Sequence, residues 1–495
     1  MLEMLGTGFI DIFNPAVLGL MTFGTLFGVI IGAIPGMTAV MGIILLLPMT
    51  YKLPPHTSLI MLSGVFCGGM VGGSVSAILI NTPGGASAAA TVMDGYPLCQ
   101  QGKAGKAIGI ATVASFTGGI ISTACLILIA PQLAKIALQF QAADLFSLSI
   151  FGLTIIAGAS AKNIVKGLIS GFVGLMVTTV GIDVILGLSR YTFGNYYLMG
   201  GFQMLPILIG VFAMAQVFSE VGTPPAELPV TQKVTGVLPT WPELKGITFA
   251  TVVGSLIGVF IGIIPGTGGS IACWLAYNVM QKISKKGHLY GTGVLEGIAA
   301  PESANNGTTG GAMIPMLTLG VPGDSVTAVM LGALVLIGIR PGPLLFTQTP
   351  HVIYAIFSGW IVIQFLVLAF GFLSAKFSPY VLGISPRLIM PIVTVLCIVG
   401  AFTLSNSMFD VMVATAFGTV GFFMKKYGYP APPLILGVIL GPMAESNLNR
   451  ALINSNNSIA ILFQRPFSLA FLIISFISIA APIIGKFIMK RKAAA

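Results

Sequence analysis

The sequence predicts an all-α polytopic membrane protein made of two inverted-topology repeats, with re-entrant hairpins or broken helices and about 11–12 membrane-crossing or re-entrant segments. Three observations predict it. Of 495 residues, 56% are hydrophobic and 7% are charged, against about 25% charged in soluble domains. Residues 12–51, 53–93, 246–281 and 341–375 hold no Asp, Glu, Lys or Arg, and backbone in lipid must satisfy its own hydrogen bonds, which leaves helices. Third, the chain repeats itself: Gly24, Gly28, Gly32, Ile34, Pro35 and Gly36 recur as Gly254, Gly258, Gly262, Ile264, Pro265 and Gly266, and PILIGV at 206–211 recurs as PLILGV at 433–438. Gly72, Pro83 and Gly84 pair in the same way with Gly311, Pro322 and Gly323. Such distant copies indicate duplicated halves.

The first element is FGVIIGAIPGMTAVMGIILLLPM, residues 27–49, an uncharged stretch with Pro35 and Gly36, the two poorest helix formers, at its centre. Between Gly36 and Tyr51 lie 14 residues, about 21 Å of helix against a hydrocarbon core of about 30 Å. The break is therefore expected within the membrane, at the tip of a re-entrant hairpin whose freed backbone lines a protein-enclosed cavity; a tight interfacial turn is the alternative. Pro35, Gly36 and Thr38 are candidate substrate contacts. The second element, GGSVSAILINTPGGASAAAT at 72–91, breaks again at Asn81, Thr82, Pro83, Gly84 and Gly85 and restarts at Ser87. A helix start carries unpaired N–H groups and the positive end of the dipole, which suit a carboxylate without a fixed cationic side chain. The alternative is a kink with a capping hydroxyl.

Residues 1–219 form the first membrane repeat. The polar segment 220–246, with five prolines, reads as a cytoplasmic linker. Residues 247–445 form the second, inverted repeat, opening on GVFIGIIPGTGGS at 258–270, where Gly266, Thr267, Gly268 and Gly269 are the counterpart tip. GIAAPESANNGTTGGA, residues 297–312, is the most polar membrane-flanked stretch. Its counterpart lacks acids and amides, so Glu302, Asn305, Asn306 and Asp324 distinguish the halves. Intramembrane acids are by default functional, and these four are expected to couple a cation, with a Na⁺ site at Asn305 and Asp324; a cap at a wet helix end is the alternative for Glu302. Pro322, Gly323, Ser325 and Thr327 form the second restart. Residues 446–495 add one helix and a basic cytoplasmic tail.

Charge counts orient the chain. With the N-terminus outside and the C-terminus inside, all but six of the 23 Lys and Arg residues, namely Lys52, Lys135, Arg190, Arg340, Arg450 and Arg465, fall in the cytoplasm, as the positive-inside rule requires. The net charge of +10 is spread through short loops, which fits topology better than nucleic acid. Cys67, Cys99, Cys125, Cys273 and Cys397 have no metal-ligand spacing, which argues against a disulfide framework or zinc site. The N-terminus lacks a basic n-region, so no cleaved signal is expected.

The segments AIPGMTA, NTPGGASA, DGYPLCQQGKAGKAIG, IPGTGG, AAPESANN, GVPGDSVTA and RPGPLLF together resemble the large membrane subunit (TctA type) of the bacterial tripartite tricarboxylate transporters, over nearly the whole chain. The resemblance implies a multi-pass secondary transporter of the bacterial inner (cytoplasmic) membrane. It also implies a small membrane subunit and a periplasmic solute-binding protein as partners, and symport of citrate or related di- and tricarboxylates with Na⁺ or H⁺; no organic cofactor is expected. Hairpins in inverted halves favour elevator-type alternating access over rocking. Two other classes are weaker. A channel fits duplicated broken helices less well, and an intramembrane aspartyl protease, prompted by Pro322-Gly323-Asp324, needs a second membrane aspartate. No G-x-x-x-x-G-K-[ST] motif occurs, so ATP is not bound by a P-loop.

Overall fold

The computed structural model of the chain describes residues 2–160, 164–183, 185, 187–221, 234–383 and 386–494. Among these, the only strands are the antiparallel pair Gly181–Ile182 and Ser189–Arg190. Among the described residues seven helices are long and apolar enough to cross a membrane: Pro15–Ala33, Pro55–Ile80, Ala104–Ala137, Met204–Val221, Trp241–Ile263, Pro350–Leu382 and Met408–Tyr427. Shorter apolar helices include Ala39–Thr50, Ile164–Thr178 and Ser325–Leu336. The chain is thus an all-α polytopic membrane protein. Residues 222–233 of the expected linker lie outside the described residues. Its C-terminal end is helical, because Trp241–Ile263 starts inside it with a Thr240–Glu243 capping box, and Glu243 is ion-paired with Lys106.

The chain divides into two compact units. One consists of Met1–Ala134 and Glu220–Leu396, the other of Lys135–Ser219 and Cys397–Ala495. Each unit draws on both halves of the sequence, so the units cut across the division at residue 219.

In the first unit the repeat is visible in the backbone. Pro15–Ala33 ends at Ile34 with φ −81 and ψ 121, and Trp241–Ile263 ends at Ile264 with φ −79 and ψ 117. Two residues on, Gly36 and Gly266 adopt φ 80 and φ 78, a left-handed turn that a residue with a Cβ adopts only under strain. The chain then re-enters as Ala39–Thr50 and as Gly268–Ile283. The repeated glycines explain themselves by packing. Gly24, Gly28 and Gly32, one turn apart, press on backbone carbonyls of Met61, Val65 and Gly69 in the Pro55–Ile80 helix, and Gly254 and Gly258 press likewise on Ala300 and Ala304 of Leu295–Leu319. Without a side chain the helices approach to backbone contact, the usual way to associate where lipid gives no hydrophobic drive. Pro55–Ile80 and Leu295–Leu319 are in turn buried along almost their whole length. They end in the same way, in left-handed Asn81 (φ 58) and Gly320 (φ 68).

The second unit is held by ion pairs at its helix ends. Asp144, fully buried, accepts from Arg465 Nε at 2.8 Å, from the Ser468 N–H at 3.0 Å and from the Gln141 N–H at 2.9 Å. This fixes the start of Pro466–Ala494 against Ala142–Ser160. Arg190 pairs with Glu445 and, at 3.1 Å, with Asp183, and Lys166 donates to the Tyr427 carbonyl at 2.6 Å.

Candidate functional site

All four chain breaks belong to the first unit, and the sequence accounts for how they meet. In the first half, Gly84 donates its N–H to the Gly73 carbonyl at 3.2 Å, and a Cβ on it would overlap the Gly32 carbonyl oxygen of the hairpin. In the second half the bond runs from the Gly266 N–H to the Gly323 carbonyl at 2.7 Å, and Gly323 lies on Gly262 and Ala312. Each hairpin tip is therefore locked to the break of its own half. The space beside the Cα atoms of Gly84 and Gly323, two of the expected substrate contacts, is filled by neighbouring backbone. Any side chain there pushes the hairpin away, so a bulky substitution tests folding and not ligand binding.

The helix starts expected after the breaks are corrected. After Pro83 the chain makes only a 3-10 turn, Ala86–Ala88, and the next helix, Val92–Gln100, begins later. After Pro322 a true helix starts, Ser325–Leu336, and one of its first N–H groups is served from within: Asp324 Oδ1 accepts from the Thr327 N–H at 2.8 Å and from the Thr327 hydroxyl at 2.7 Å. Asp324 Oδ1 is a cap on its own helix. Asn81 and Thr82 are exposed turn residues, and the Thr82 hydroxyl is bonded to the Ile80 carbonyl at 3.3 Å.

Helix starts without a side-chain cap occur instead on the second arms of the hairpins, at Thr38 before Ala39–Thr50 and at Thr267 before Gly268–Ile283. The Thr267 hydroxyl is spent on the Ile264 carbonyl at 2.8 Å, so the first N–H groups of its helix receive no help from it. Around the second start the halves converge. A Cβ on Gly269 would come within 2.9 Å of Asn305 Oδ1, 3.0 Å of the Ser87 Cβ and 3.2 Å of Thr308 Oγ1, and one on Gly268 would lie 3.1 Å from the Asp324 Cβ. On the other side, the methyl of Thr38 lies 3.9 Å from where a Gly85 Cβ would be. The Ser87 turn therefore lies between the two hairpin tips. Pro35, Gly36, Ser87, Ser270 and Ser325 remain partly or fully exposed, whereas Pro322 is buried. Thr308 was not legible as a site residue, because one more threonine in a polar run carries no distinguishing pattern.

Glu302 and the two asparagines are fully buried in the middle of Leu295–Leu319. Glu302 is therefore no wet cap. Its Oε1 accepts from the Thr91 hydroxyl and its Oε2 from the Ser115 hydroxyl at 3.1 Å, with no cationic side chain among these partners. Asn305 Nδ2 reaches the Met70 carbonyl at 3.4 Å and Asn306 Nδ2 the Glu302 carbonyl at 3.2 Å, while neither Oδ1 has a donor. Besides Thr308, the sequence reading passed over Thr91, Ser115 and Gln364. Of these only Gln364, a lone amide in GWIVIQFLVLAF, residues 359–370, gave a signal.

No group of three or more His, Cys, Asp or Glu that suits a metal occurs among the described residues. Nor does Asp324 face a catalytic partner in Asp94, whose carboxylate is taken up by three backbone N–H groups and the Tyr277 hydroxyl.

Comparison with known sequences gives three findings. The model of the "Tripartite tricarboxylate transporter TctA family" matches residues 18–436. An uncharacterized 52.8 kDa protein in the TAR-I ttuC' 3' region of Agrobacterium vitis is 32% identical over 491 residues, 99% of this chain and 98% of that protein. An uncharacterized protein in the TAR-II ttuC' 3' region of the same organism is 30% identical over 234 residues, 47% of this chain and 97% of that protein. No solved structure matches the chain.

Proposed function

Because the chain belongs to the tripartite tricarboxylate transporter TctA family, a family of transporter membrane components, we propose that it imports citrate-like di- and tricarboxylates. The work is done with a small membrane subunit and a periplasmic binding protein in a bacterial inner membrane, and it is driven by a Na⁺ or H⁺ gradient. The observation that carries the substrate class is the pair of uncapped helix starts, at Thr38 and Thr267, with Ser87 between them. Unpaired N–H groups and helix dipoles hold a carboxylate without a permanent positive charge, and two such starts suit a molecule with at least two carboxylates. Thr38, Gly268, Gly269 and Ser87, with Thr308 beside them, are the contacts this reading assigns.

An elevator-type movement is supported by the division of the chain: both hairpins and both breaks belong to one compact unit, which therefore can carry a bound anion as one piece. The inverted arrangement of residues 1–219 and 247–445 is supported by the matching hairpin dihedrals and by the charge count. With the N-terminus periplasmic and the C-terminus cytoplasmic, a Lys285→Cys variant is expected to react with an impermeant thiol reagent only from the cytoplasm, and Lys52→Cys only from outside. Reaction of both from one face ends the inverted-repeat reading.

The decisive experiment is uptake of labelled citrate and C4 dicarboxylates into proteoliposomes that hold both membrane subunits, with binding protein supplied and with or without an ion gradient. Saturable uptake that stops when the gradient is collapsed is expected. Ser87→Ala is expected to raise the half-saturating substrate concentration about tenfold, the loss of one hydrogen bond to a charged group, with maximal rate retained. Uptake of no carboxylate, or uptake indifferent to the gradient, rejects the reading; an unchanged half-saturation in Ser87→Ala moves the substrate away from this turn.

A further inference from the structure

We propose that the first unit holds a monovalent cation, Na⁺, between the helices Ala104–Ala137, Leu295–Leu319 and Pro350–Leu382, liganded by the amide oxygens of Gln364 and Asn306. The proposal rests on the reading of ion-driven transport and places the ion elsewhere than at Asp324, whose Oδ1 caps its own helix.

A census of donors and acceptors carries it. Gln364 and Asn306 are fully buried, and neither Gln364 Oε1 nor Asn306 Oδ1 has a donor among the described residues. The donors nearby are spent. Gln364 Nε2 points to Cys67 Sγ at 3.7 Å, Asn306 Nδ2 to the Glu302 carbonyl at 3.2 Å, and the Thr309 hydroxyl to the Asn306 carbonyl at 2.7 Å. The Ser122 hydroxyl lies 3.0 Å from the Gly119 carbonyl and 3.3 Å from the Asn306 carbonyl. The Thr123 hydroxyl is likewise spent on the Gly119 carbonyl at 2.7 Å, so what remains here are the two amide oxygens, Gln364 Oε1 and Asn306 Oδ1. Buried acceptors without donors are costly, and one hard cation satisfies several of them together.

The surroundings fit that choice. No Lys or Arg lies on Pro55–Ile80 or Leu295–Leu319, while Lys376 on Pro350–Leu382 and Lys106 and Lys135 on Ala104–Ala137 stand 12 or 13 residues, about 18–20 Å of helix, from Gln364, Gly119 and Ser122. The sole carboxylate on this face of Leu295–Leu319 is Glu302, one turn before Asn306, which supplies a single negative charge and so favours a monovalent ion. Gly119 fits the same picture: a Cβ there would overlap Gln364 Oε1, so the glycine keeps the amide where it is.

The test is direct binding, independent of transport. In purified protein, thermal unfolding is followed while NaCl replaces choline chloride at constant ionic strength. Wild type is expected to gain stability saturably with Na⁺, as any ligand of the native state produces. Gln364→Met, which keeps the volume and removes the oxygen, and Gly119→Ala, which displaces the amide, are each expected to weaken Na⁺ affinity by about tenfold or more. Gln364→Glu keeps a ligand oxygen and retains binding, which separates loss of the site from a general folding defect. Absence of a Na⁺ effect in wild type overturns the proposal, and so does an effect of equal affinity in Gln364→Met and Gly119→Ala. Carboxylate uptake whose Na⁺ dependence is untouched by Gln364→Met also overturns this site while leaving the transport reading intact. Na⁺ binding lost in Gln364→Met, in a protein that moves no carboxylate, supports the site and rejects the transport reading.

Discussion

Replacing Asp94 by Ala is expected to destabilise the first unit by about 4 kcal/mol or more, the range reached when a buried hydrogen-bonding network loses its centre. Asp94 has no exposed surface. Its Oδ1 accepts from the N–H groups of Gly291, Gly293 and Val294 at 2.9, 2.8 and 2.9 Å, and its Oδ2 from the Tyr277 hydroxyl at 2.9 Å. These bonds tie Val92–Gln100, from the first half, to the second hairpin and to the start of Leu295–Leu319, whose dipole also favours an anion at its N-terminus. Removing the carboxylate leaves three backbone donors and a hydroxyl unpaired in a closed space. Asp94→Asn keeps one accepting oxygen and is expected to fall between wild type and Asp94→Ala. The measurement is the thermal unfolding midpoint of purified protein, or the folded fraction recovered by size exclusion. An Asp94→Ala protein within about 1 kcal/mol of wild type rejects the latch.

The second large effect is on transport. Glu302→Gln is expected to fold, because Thr91 and Ser115 can each turn a hydroxyl to suit an amide, yet to lower initial uptake by about a hundredfold or more and to remove its dependence on the ion gradient, as expected where a buried carboxylate serves coupling. Asp324→Asn is expected to keep that dependence and to lose a modest part of its stability, about 1 kcal/mol for a weakened cap. Initial uptake rate against ion concentration, at several substrate concentrations, checks both. Normal coupling in Glu302→Gln leaves that carboxylate a structural residue, and lost coupling in Asp324→Asn returns the ion to the break.

Much of this was legible along the chain. The Gly24, Gly28, Gly32 pattern and its copy at Gly254, Gly258, Gly262 announced the duplication, and the structure added that these side-chain-free positions at helical spacing are where helices meet by backbone contact. Ile34-Pro35-Gly36 and Ile264-Pro265-Gly266 fixed where the helices stop, since proline removes a donor and glycine admits the left-handed turn. Glu302, Asn305 and Asn306 stood out because polar groups are rare in so apolar a chain.

Other features were not legible. The cap that Asp324 Oδ1 makes on its own helix was not foreseen; it depends on where the Thr327 N–H and hydroxyl point, and local conformation decides that. The Pro-Gly breaks looked like the anion-binding starts, yet the first restarts only as a short 3-10 turn and the second is already capped, so the uncapped starts lie on the hairpins. The partners of Glu302 and the place of Gln364 depend on contacts between segments about two hundred residues or more apart in sequence. What the sequence determined by itself is the membrane environment, the duplication and the points of helix breakage, because these follow from composition and from local backbone rules. Only the tertiary structure decided which break belongs to which hairpin, which donors each buried carboxylate meets and which oxygens lack donors, because a hydrogen-bonding group is satisfied or orphaned by neighbours that close packing, and not chain order, brings to it.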